Sequence, residues 1–289
     1  MARLLTSGDI RSLSRGLQIT PTKKWGQNFV VDANTVRRIA NVAKLDADDV
    51  VMEVGPGLGS LTLALIEIAR RVIAVEIDPK LALALPTTVA HRAPEEHERL
   101  TVVETDAARI KPEQMPEPPT ALVANLPYNV AVPVVLHALE TFPSLQKGLV
   151  MVQAEVGDRL TAGPGSKIYG VPSIKMAWYA KAKRAGSVSP KVFWPEPNVS
   201  SGLVAFERIQ SPDANRIEVF GAVDAAFGQR RKMLRQSLKS WAGADVEAVL
   251  DRAGIEPTRR GESLDIAEFI ALADAKEAVG ASDPRPQEA

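Results

Sequence analysis

The stretch that most restricts this chain is Val50-Val51-Met52-Glu53-Val54-Gly55-Pro56-Gly57-Leu58-Gly59-Ser60-Leu61-Thr62. An apolar run stops at a glycine-rich turn, and a helical pattern starts at Leu61 and continues through Leu65 and Ile68. Strand, tight turn and helix in that order make the first unit of a mostly parallel α/β sheet. Glycines let the backbone take positive φ and come close to a ligand, and the helix start behind them offers unpaired N–H groups. A second apolar run, Val72-Ile73-Ala74-Val75, ends in Glu76-Ile77-Asp78. Glu76 lies 21 residues past Gly55, about where a ribose-binding carboxylate follows such a turn.

The turn alone admits either an amino-acid tail or a pyrophosphate. Its spacing departs from the dinucleotide fingerprint, because Gly59 comes two residues after Gly57 rather than three. Pro56 also removes an N–H that a pyrophosphate would use. Both features tilt the reading towards S-adenosylmethionine.

Further strand ends follow in register with this one. Leu100–Val103 reads as a third strand ending near Asp106, at the carboxyl edge where open sheets bind ligands. Residues 111–119 hold four prolines and form a loop. Thr120–Ala124 reads as a fourth strand that runs into Asn125-Leu126-Pro127-Tyr128, then a helix over 130–139. Lys147–Gln153 reads as a fifth strand, with helical segments near 155–159 and 171–180 around a polar loop at 163–170. The aromatic, proline-rich span 188–199 reads as a stiff extended loop, flanked by strands that form a hairpin at the sheet edge. The helix after Pro79 reads as short, with 91–99 as a charged loop or helix end. Asp32 is the expected N-cap of a helix over 33–43.

From Asn215 onward only helical patterns remain, about 215–226, 229–241, 245–253 and 263–275. The organisation expected is an α/β unit over 1–209 and a small all-helical unit over 210–289, with a disordered tail from about 280. Residues 1–24 form a basic arm with a short amphipathic helix, either packed on the body or touching phosphate and covering a site.

Composition narrows the chemistry. The chain has 35 Lys and Arg, 35 Asp and Glu, no Cys and three His. Thiolate catalysis and Cys-ligated zinc are excluded, and no metal is expected. No apolar run reaches the ~18 residues of a membrane span and no signal peptide pattern opens the chain, so a cytoplasmic protein is expected. A zero charge sum is silent on nucleic acid, because such footprints are local. One local concentration exists, Arg230, Arg231, Lys232, Arg235 and Lys239, on what reads as the second C-terminal helix. Few acids interrupt it in sequence. It reads as an RNA-phosphate patch or as a solvated helix face.

The chemistry-bearing motif is Asn125-Leu126-Pro127-Tyr128. The amino group of adenine is a poor nucleophile because its lone pair is delocalised into the ring. The Asn125 side-chain oxygen can accept one N6 hydrogen and the Leu126 carbonyl the other, with Pro127 stiffening the turn. Acceptors so placed favour the charge that develops on nitrogen and aim it at a methyl group. Tyr128 offers a face for the base. A sulfonium methyl needs no strong general base, which suits a chain almost without histidine. Glu76 suits the ribose hydroxyls and Asp106 the adenine amine of the cofactor. The bland alternative is that Asn125 caps a turn and Tyr128 is core.

With these residues in view, the chain resembles the ribosomal RNA adenine N6-dimethyltransferases, specifically the small-subunit group. The matching pieces are Gly26-Gln27-Asn28-Phe29, Glu53 to Thr62, Glu76-Ile77-Asp78, Asp106-Ala107, Asn125 to Asn129, Gln153 to Arg159, Tyr169-Gly170, Phe193 to Ser201 and Phe227 to Lys232. They span roughly residues 23–265. Val30-Val31-Asp32 and Trp194 depart slightly from the usual pattern. The resemblance implies a Rossmann-like class I S-adenosylmethionine-dependent methyltransferase sheet. It also implies a cofactor site of Gln27, Asn28, Val30, Gly55, Gly57, Glu76, Ile77, Asp106, Ala107 and Asn125, yielding S-adenosylhomocysteine. Asn125, Leu126, Pro127 and Tyr128 match the catalytic positions, and Phe193 an aromatic that packs on a flipped base. The implied reaction is dimethylation of two adjacent adenosines near the 3′ end of 16S rRNA, four transfers in all, in a 30S precursor. A monomer without membrane contact is expected. Two other readings stay open, an adenine-N6 DNA methyltransferase and a non-catalytic scaffold on a retained cofactor fold.

Overall fold

Short apolar runs alternating with amphipathic segments must stack in layers to bury both. The computed structural model, which describes residues 2–19, 28–127 and 130–282, takes that form. In chain order the first elements are α1 (Ser7–Gly16), β1 (Phe29–Val30), α2 (Ala33–Val42), β2 (Val50–Val54), α3 (Ser60–Leu65), β3 (Arg71–Glu76), α4 (Pro79–Arg92), β4 (Leu100–Glu104), β5 (Ala121–Asn125), α5 (Ala131–Thr141) and β6 (Lys147–Gln153). They are followed by α6 (Ala154–Thr161), α7 (Val171–Tyr179), β7 (Ala180–Val188), β8 (Phe193–Trp194) and β9 (Ser201–Arg208). The chain ends in α8 (Arg216–Gly228), α9 (Leu234–Ser237), α10 (Lys239–Ala242), α11 (Val246–Arg252) and α12 (Ile266–Ser282).

Contacts divide the chain into two units, Met1–Leu160 with Lys181–Arg208, and Thr161–Ala180 with Ile209–Ala289. A crossing falls at 208–209, next to the boundary expected at 209–210. Residues 161–180 group with the C-terminal helices, an excursion the sequence reading assigned to the α/β unit.

In the first unit a seven-stranded sheet runs β4-β3-β2-β5-β6-β9-β7. The five strands from β4 to β6 are parallel, and β9 lies antiparallel to β6. The chain leaves β2 towards β3 and β4, then returns to β5 on the other side. The carboxyl ends of β2 and β5 therefore flank the point where the winding reverses, where such sheets open a crevice. All five residues of β2 are buried, as expected of a strand covered on both faces. A separate two-stranded sheet pairs β1 with β8, Phe29 opposite Trp194 and Val30 opposite Phe193. The span 188–199, expected as an extended loop, thus contains a short strand, since two-residue strands have no periodicity to read.

Local chemistry sets the helix starts. The Asp32 side chain accepts from the Thr35 N–H at 2.6 Å, the cap expected from sequence. Asp78 caps α4 through the Lys80 N–H, with Pro79 at the first helical position. That helix is longer than expected and does not stop at Pro86, because Leu81 and Leu85 before the proline and Val89 after it are all buried. In the described part of the arm, Leu5 and Ile10 are buried in the core. Arg92 pairs with Asp9, and the Arg3 N–H donates to the Arg92 carbonyl, so this segment is packed on the body.

The second unit contains α7 and α8 to α12, and it corrects two expectations. Residues 229–241 are not one helix but a turn followed by the four-residue α9 and α10. The last helix runs to Ser282, past the expected start of the tail; residues 283–289 lie outside the described set. Among the described residues no helix is long and apolar enough to cross a membrane.

Gly148 lies opposite Phe206 in the β6–β9 ladder. A Cβ there would sit 2.2 Å from the Phe206 ring and 2.8 Å from the Leu122 backbone oxygen. Phe206 is almost wholly buried, so the ring has nowhere to go. Gly148→Ala is expected to lower stability by about 1–3 kcal/mol, the usual cost of overpacking a core, measured by urea denaturation. An unchanged midpoint would show that the sheet yields at this point.

Candidate functional site

The crevice at the winding reversal is lined by the ends of four parallel strands and by β1. Its walls include Asn28, Phe29 and Val30; Glu53 to Leu58; Ser60 and Leu61; Glu76 and Ile77; Thr105 to Ala108; and Asn125 to Pro127. Of the residues expected at a cofactor site, Asn28, Val30, Gly55, Gly57, Glu76, Ile77, Asp106, Ala107 and Asn125 meet here. Gln27 and Tyr128 lie outside the described residues.

The turn after β2 is held by a side chain from β3. The Glu76 carboxylate accepts from the Gly57 N–H at 3.1 Å through Oε2, and from the Ile77 and Asp78 N–H groups at 2.9 and 3.0 Å through Oε1. Gly57 has φ +59°, and a Cβ on it would lie 2.8 Å from the Phe29 ring. Left-handed backbone and the ring against it both require glycine there. Burial raises the Glu76 pKa, with the three N–H donors opposing the rise.

Asp106 accepts from the Ala108 N–H at 2.9 Å, which closes a turn at the rim and keeps the half-exposed carboxylate beside the cavity. The Asn125 Nδ2 group donates to the Asn28 carbonyl at 3.0 Å. With the nitrogen so engaged, Oδ1 is the atom presented as an acceptor. Leu126 is buried and its N–H donates to the Met151 carbonyl at 3.0 Å, so the motif is pinned to β6.

Phe193 is not among the cavity-lining residues; it is 5% exposed, belongs to the core and pairs with Val30 of β1. Among the described residues the aromatic that lines the cavity is Phe29, 6.3 Å from Trp194 in a stacked arrangement. The sequence reading gave Glu53 no role. It sits within β2, lines the cavity, and its Oε2 atom is buried with no hydrogen-bond partner, as is Ser60 Oγ. A lone acid in a strand buried on both faces is the signal that could have identified it.

The basic cluster divides as well. Arg231, Lys232, Arg235 and Lys239 are exposed. Arg230 instead pairs with Glu262 at 2.9 Å, and Arg259 pairs with Glu268. Those acids are distant in sequence, which is why the run looked uncompensated.

The family model described as ribosomal RNA adenine dimethylase matches residues 20–277. The chain is 59% identical to the ribosomal RNA small subunit methyltransferase A of Streptomyces avermitilis, covering 97% of this chain and 96% of that one. It is 60% identical to the protein of the same name from Thermobifida fusca, covering 94% and 96%. Among solved structures, a dimethyladenosine transferase from Plasmodium falciparum superposes with a TM-score of 0.75 at 22% identity, over 86% of this chain and 97% of the other. The 23S rRNA methyltransferase ErmE superposes with a TM-score of 0.64 at 27% identity, over 86% and 99%.

Burial, with a smaller push from the Glu76 charge, raises the Glu53 pKa from 4.5 to about 8, with the polar groups of Thr62 opposing the rise. The folded protein then keeps a proton that the unfolded chain loses, so this group's contribution to stability falls as pH rises from about 4.5 to 8. Glu53→Gln is expected to flatten the fall in melting temperature of the ligand-free protein between pH 5 and 8. Identical slopes for the two proteins would show that Glu53 is ionised in the fold.

Proposed function

Because the chain belongs to the ribosomal RNA adenine dimethylase family, we propose that it dimethylates N6 of two adjacent adenosines near the 3′ end of 16S rRNA. Its methyl donor is S-adenosylmethionine, its substrate is a 30S precursor, and it acts as a cytoplasmic monomer. The observation that carries this reading is Asn125, at the end of β5 with its amide nitrogen engaged and its oxygen left as acceptor on the cavity. Bound here, the cofactor supplies a methyl group already activated on a sulfonium.

The chain's own residues fit such a molecule and do the rest. Glu53 Oε2 and Ser60 Oγ are buried acceptors without a protein partner, suited to a donor-bearing, cationic amino-acid tail. Glu76 holds the turn with part of its carboxylate, and the remaining lone pairs suit a ribose diol. Asp106 at the rim suits an adenine amine, and half-exposed Ile77 gives the ring an apolar cover. Asn125 Oδ1 accepts a hydrogen from the target amine, orients its lone pair and stabilises the charge that develops on it. The proton leaves after transfer. Tyr128, beside these residues in sequence, remains our candidate stacking face for the extruded base. Exposed Arg231, Lys232, Arg235 and Lys239 suit RNA phosphates.

The activity test is transfer of labelled methyl from S-adenosylmethionine to unmethylated 30S particles, naked 16S rRNA, 50S particles and duplex DNA. N6,N6-dimethyladenosine is expected in the 30S sample, and its absence there, or a preference for DNA, overturns the reading. Asn125→Ala is expected to bind cofactor within about two-fold of the parent while losing at least ~100-fold in turnover, the scale of removing one stabilising hydrogen bond in a water-poor site. Normal turnover would remove Asn125 from the mechanism.

A further inference from the structure

In the C-terminal unit, three segments far apart in sequence meet at Arg230. Its Nε pairs with Glu262 Oε2 at 2.9 Å, and its Nη2 donates to the Lys167 carbonyl at 2.9 Å. Its guanidinium lies 5.8 Å from the centre of the Phe227 ring. Phe227 meets Tyr169 edge-on at 6.1 Å, and the Tyr169 hydroxyl donates to the Leu264 carbonyl at 2.8 Å. The Gly165 N–H donates to the Glu262 carbonyl, and the Leu234 N–H to the Arg259 carbonyl, both at 2.8 Å. Gly261 packs on α8 so closely that a Cβ would lie 2.8 Å from the Ala226 Cβ. The loop 163–170, the turn 229–233 and the segment 257–264 thus form one joined surface around a half-buried guanidinium.

What this surface shows to solvent is cationic. Lys167, Arg231, Lys232, Arg235 and Arg260 are exposed, and none has a carboxylate within ion-pair distance among the described residues. The nearby acids are mostly committed. Glu262 is held by Arg230, Glu268 by Arg259, and Asp265 caps the Glu268 N–H. Glu256, one residue before the segment 257–264, is the exposed acid without such a role among the described residues next to this surface. Arg230 differs from its neighbours in kind. The Nε–Nη2 edge of its fork is already engaged by a carboxylate and a carbonyl, so a bidentate phosphate contact on that edge would mean breaking a hydrogen-bonded pair.

We propose that the loop 163–170 belongs to the RNA-binding face, with Lys167 as a phosphate contact, and that Arg230 is a positioning residue that sets Lys167 beside Arg231 and Lys232. This rests on the reading of the C-terminal unit as an RNA surface. The partner is the sugar-phosphate backbone of the substrate RNA, bound by charge and by counterion release.

The test uses the full-length protein and an unmethylated 16S rRNA transcript, with affinity measured over a range of KCl. Each phosphate contact contributes roughly 0.7–0.9 to the slope of log affinity against log salt. Lys167→Gln is expected to weaken binding several-fold and reduce the slope by about one contact. Arg230→Gln is expected to produce the same loss, and the double variant no further loss, since both remove one contact. Hydrogen exchange at the amides of 163–168 should quicken in Arg230→Gln and stay unchanged in Lys167→Gln. Glu262→Gln weakens the same junction, replacing its ion pair with a neutral hydrogen bond, while leaving Arg230 charged. A charge-only role predicts tighter binding for it, and the positioning role predicts weaker binding.

Additive losses in Lys167→Gln and Arg230→Gln would make Arg230 a phosphate ligand and overturn the proposal, as would tighter binding by Glu262→Gln. Arg231→Gln/Lys232→Gln serves as the reference. If it loses affinity while Lys167→Gln binds as the parent does, the proposal fails and the RNA surface stands. If neither variant changes binding, the RNA surface itself fails. Should Arg230→Gln fold poorly, Glu262→Gln and Lys167→Gln decide the matter between them.

Discussion

One carboxylate holds the cofactor crevice together. Glu76 ends β3, yet its oxygens gather the N–H of Gly57 from the neighbouring turn and two N–H groups from its own strand end. A glycine-rich turn has many conformations in an unfolded chain and loses more entropy on ordering than any other. The Ile77 and Asp78 N–H groups hold the buried carboxylate in place, and its bond to the Gly57 N–H favours one conformation of the turn and offsets part of that loss. The positive φ at Gly57 and the contact of its backbone with Phe29 follow from where this carboxylate fixes the turn. A residue expected to bind ribose is therefore also what shapes the floor beneath it.

A second buried acid lies close behind. Burial raises the cost of ionising both Glu53 and Glu76, and the Glu76 charge adds to it for Glu53. A crevice that keeps one of them protonated at neutral pH stores an unspent preference for positive charge. A cationic ligand would satisfy that preference, and the orphaned oxygen of Glu53 shows on which side of the turn it would lie.

The parallel strands were legible because each is an apolar run punctuated by an acid, an asparagine or a glycine at its carboxyl end. Strand order and the winding reversal place those ends together, so Gly55, Glu76, Asp106 and Asn125 could be assigned to one crevice from sequence. Other features depend on pairings sequence does not carry. Glu262 and Glu268 neutralise arginines at positions 230 and 259, and no inspection of residues 229–239 reveals them. The same span was read as one helix because its apolar residues recur at helical intervals. Backbone bonds from Leu234 and Arg235 to Arg259 and Pro257 break it into a turn and two short helices instead. The burial of Phe193 comes with its place in the strand pair with β1, which two-residue strands do not announce in sequence.

That strand pair has a consequence for biosynthesis. Asn28 offers the carbonyl that fixes Asn125, and Asn28 is itself the residue before β1, whose only ladder partner among the described residues is β8 at 193–194. A nascent chain that has just released β5 from the ribosome already contains the turn, both acids and Asn125. It lacks the strand that seats β1, and closing a loop of that length is entropically costly and slow. The bond that fixes Asn125 thus waits on a strand that is synthesised only about two-thirds of the way along the chain.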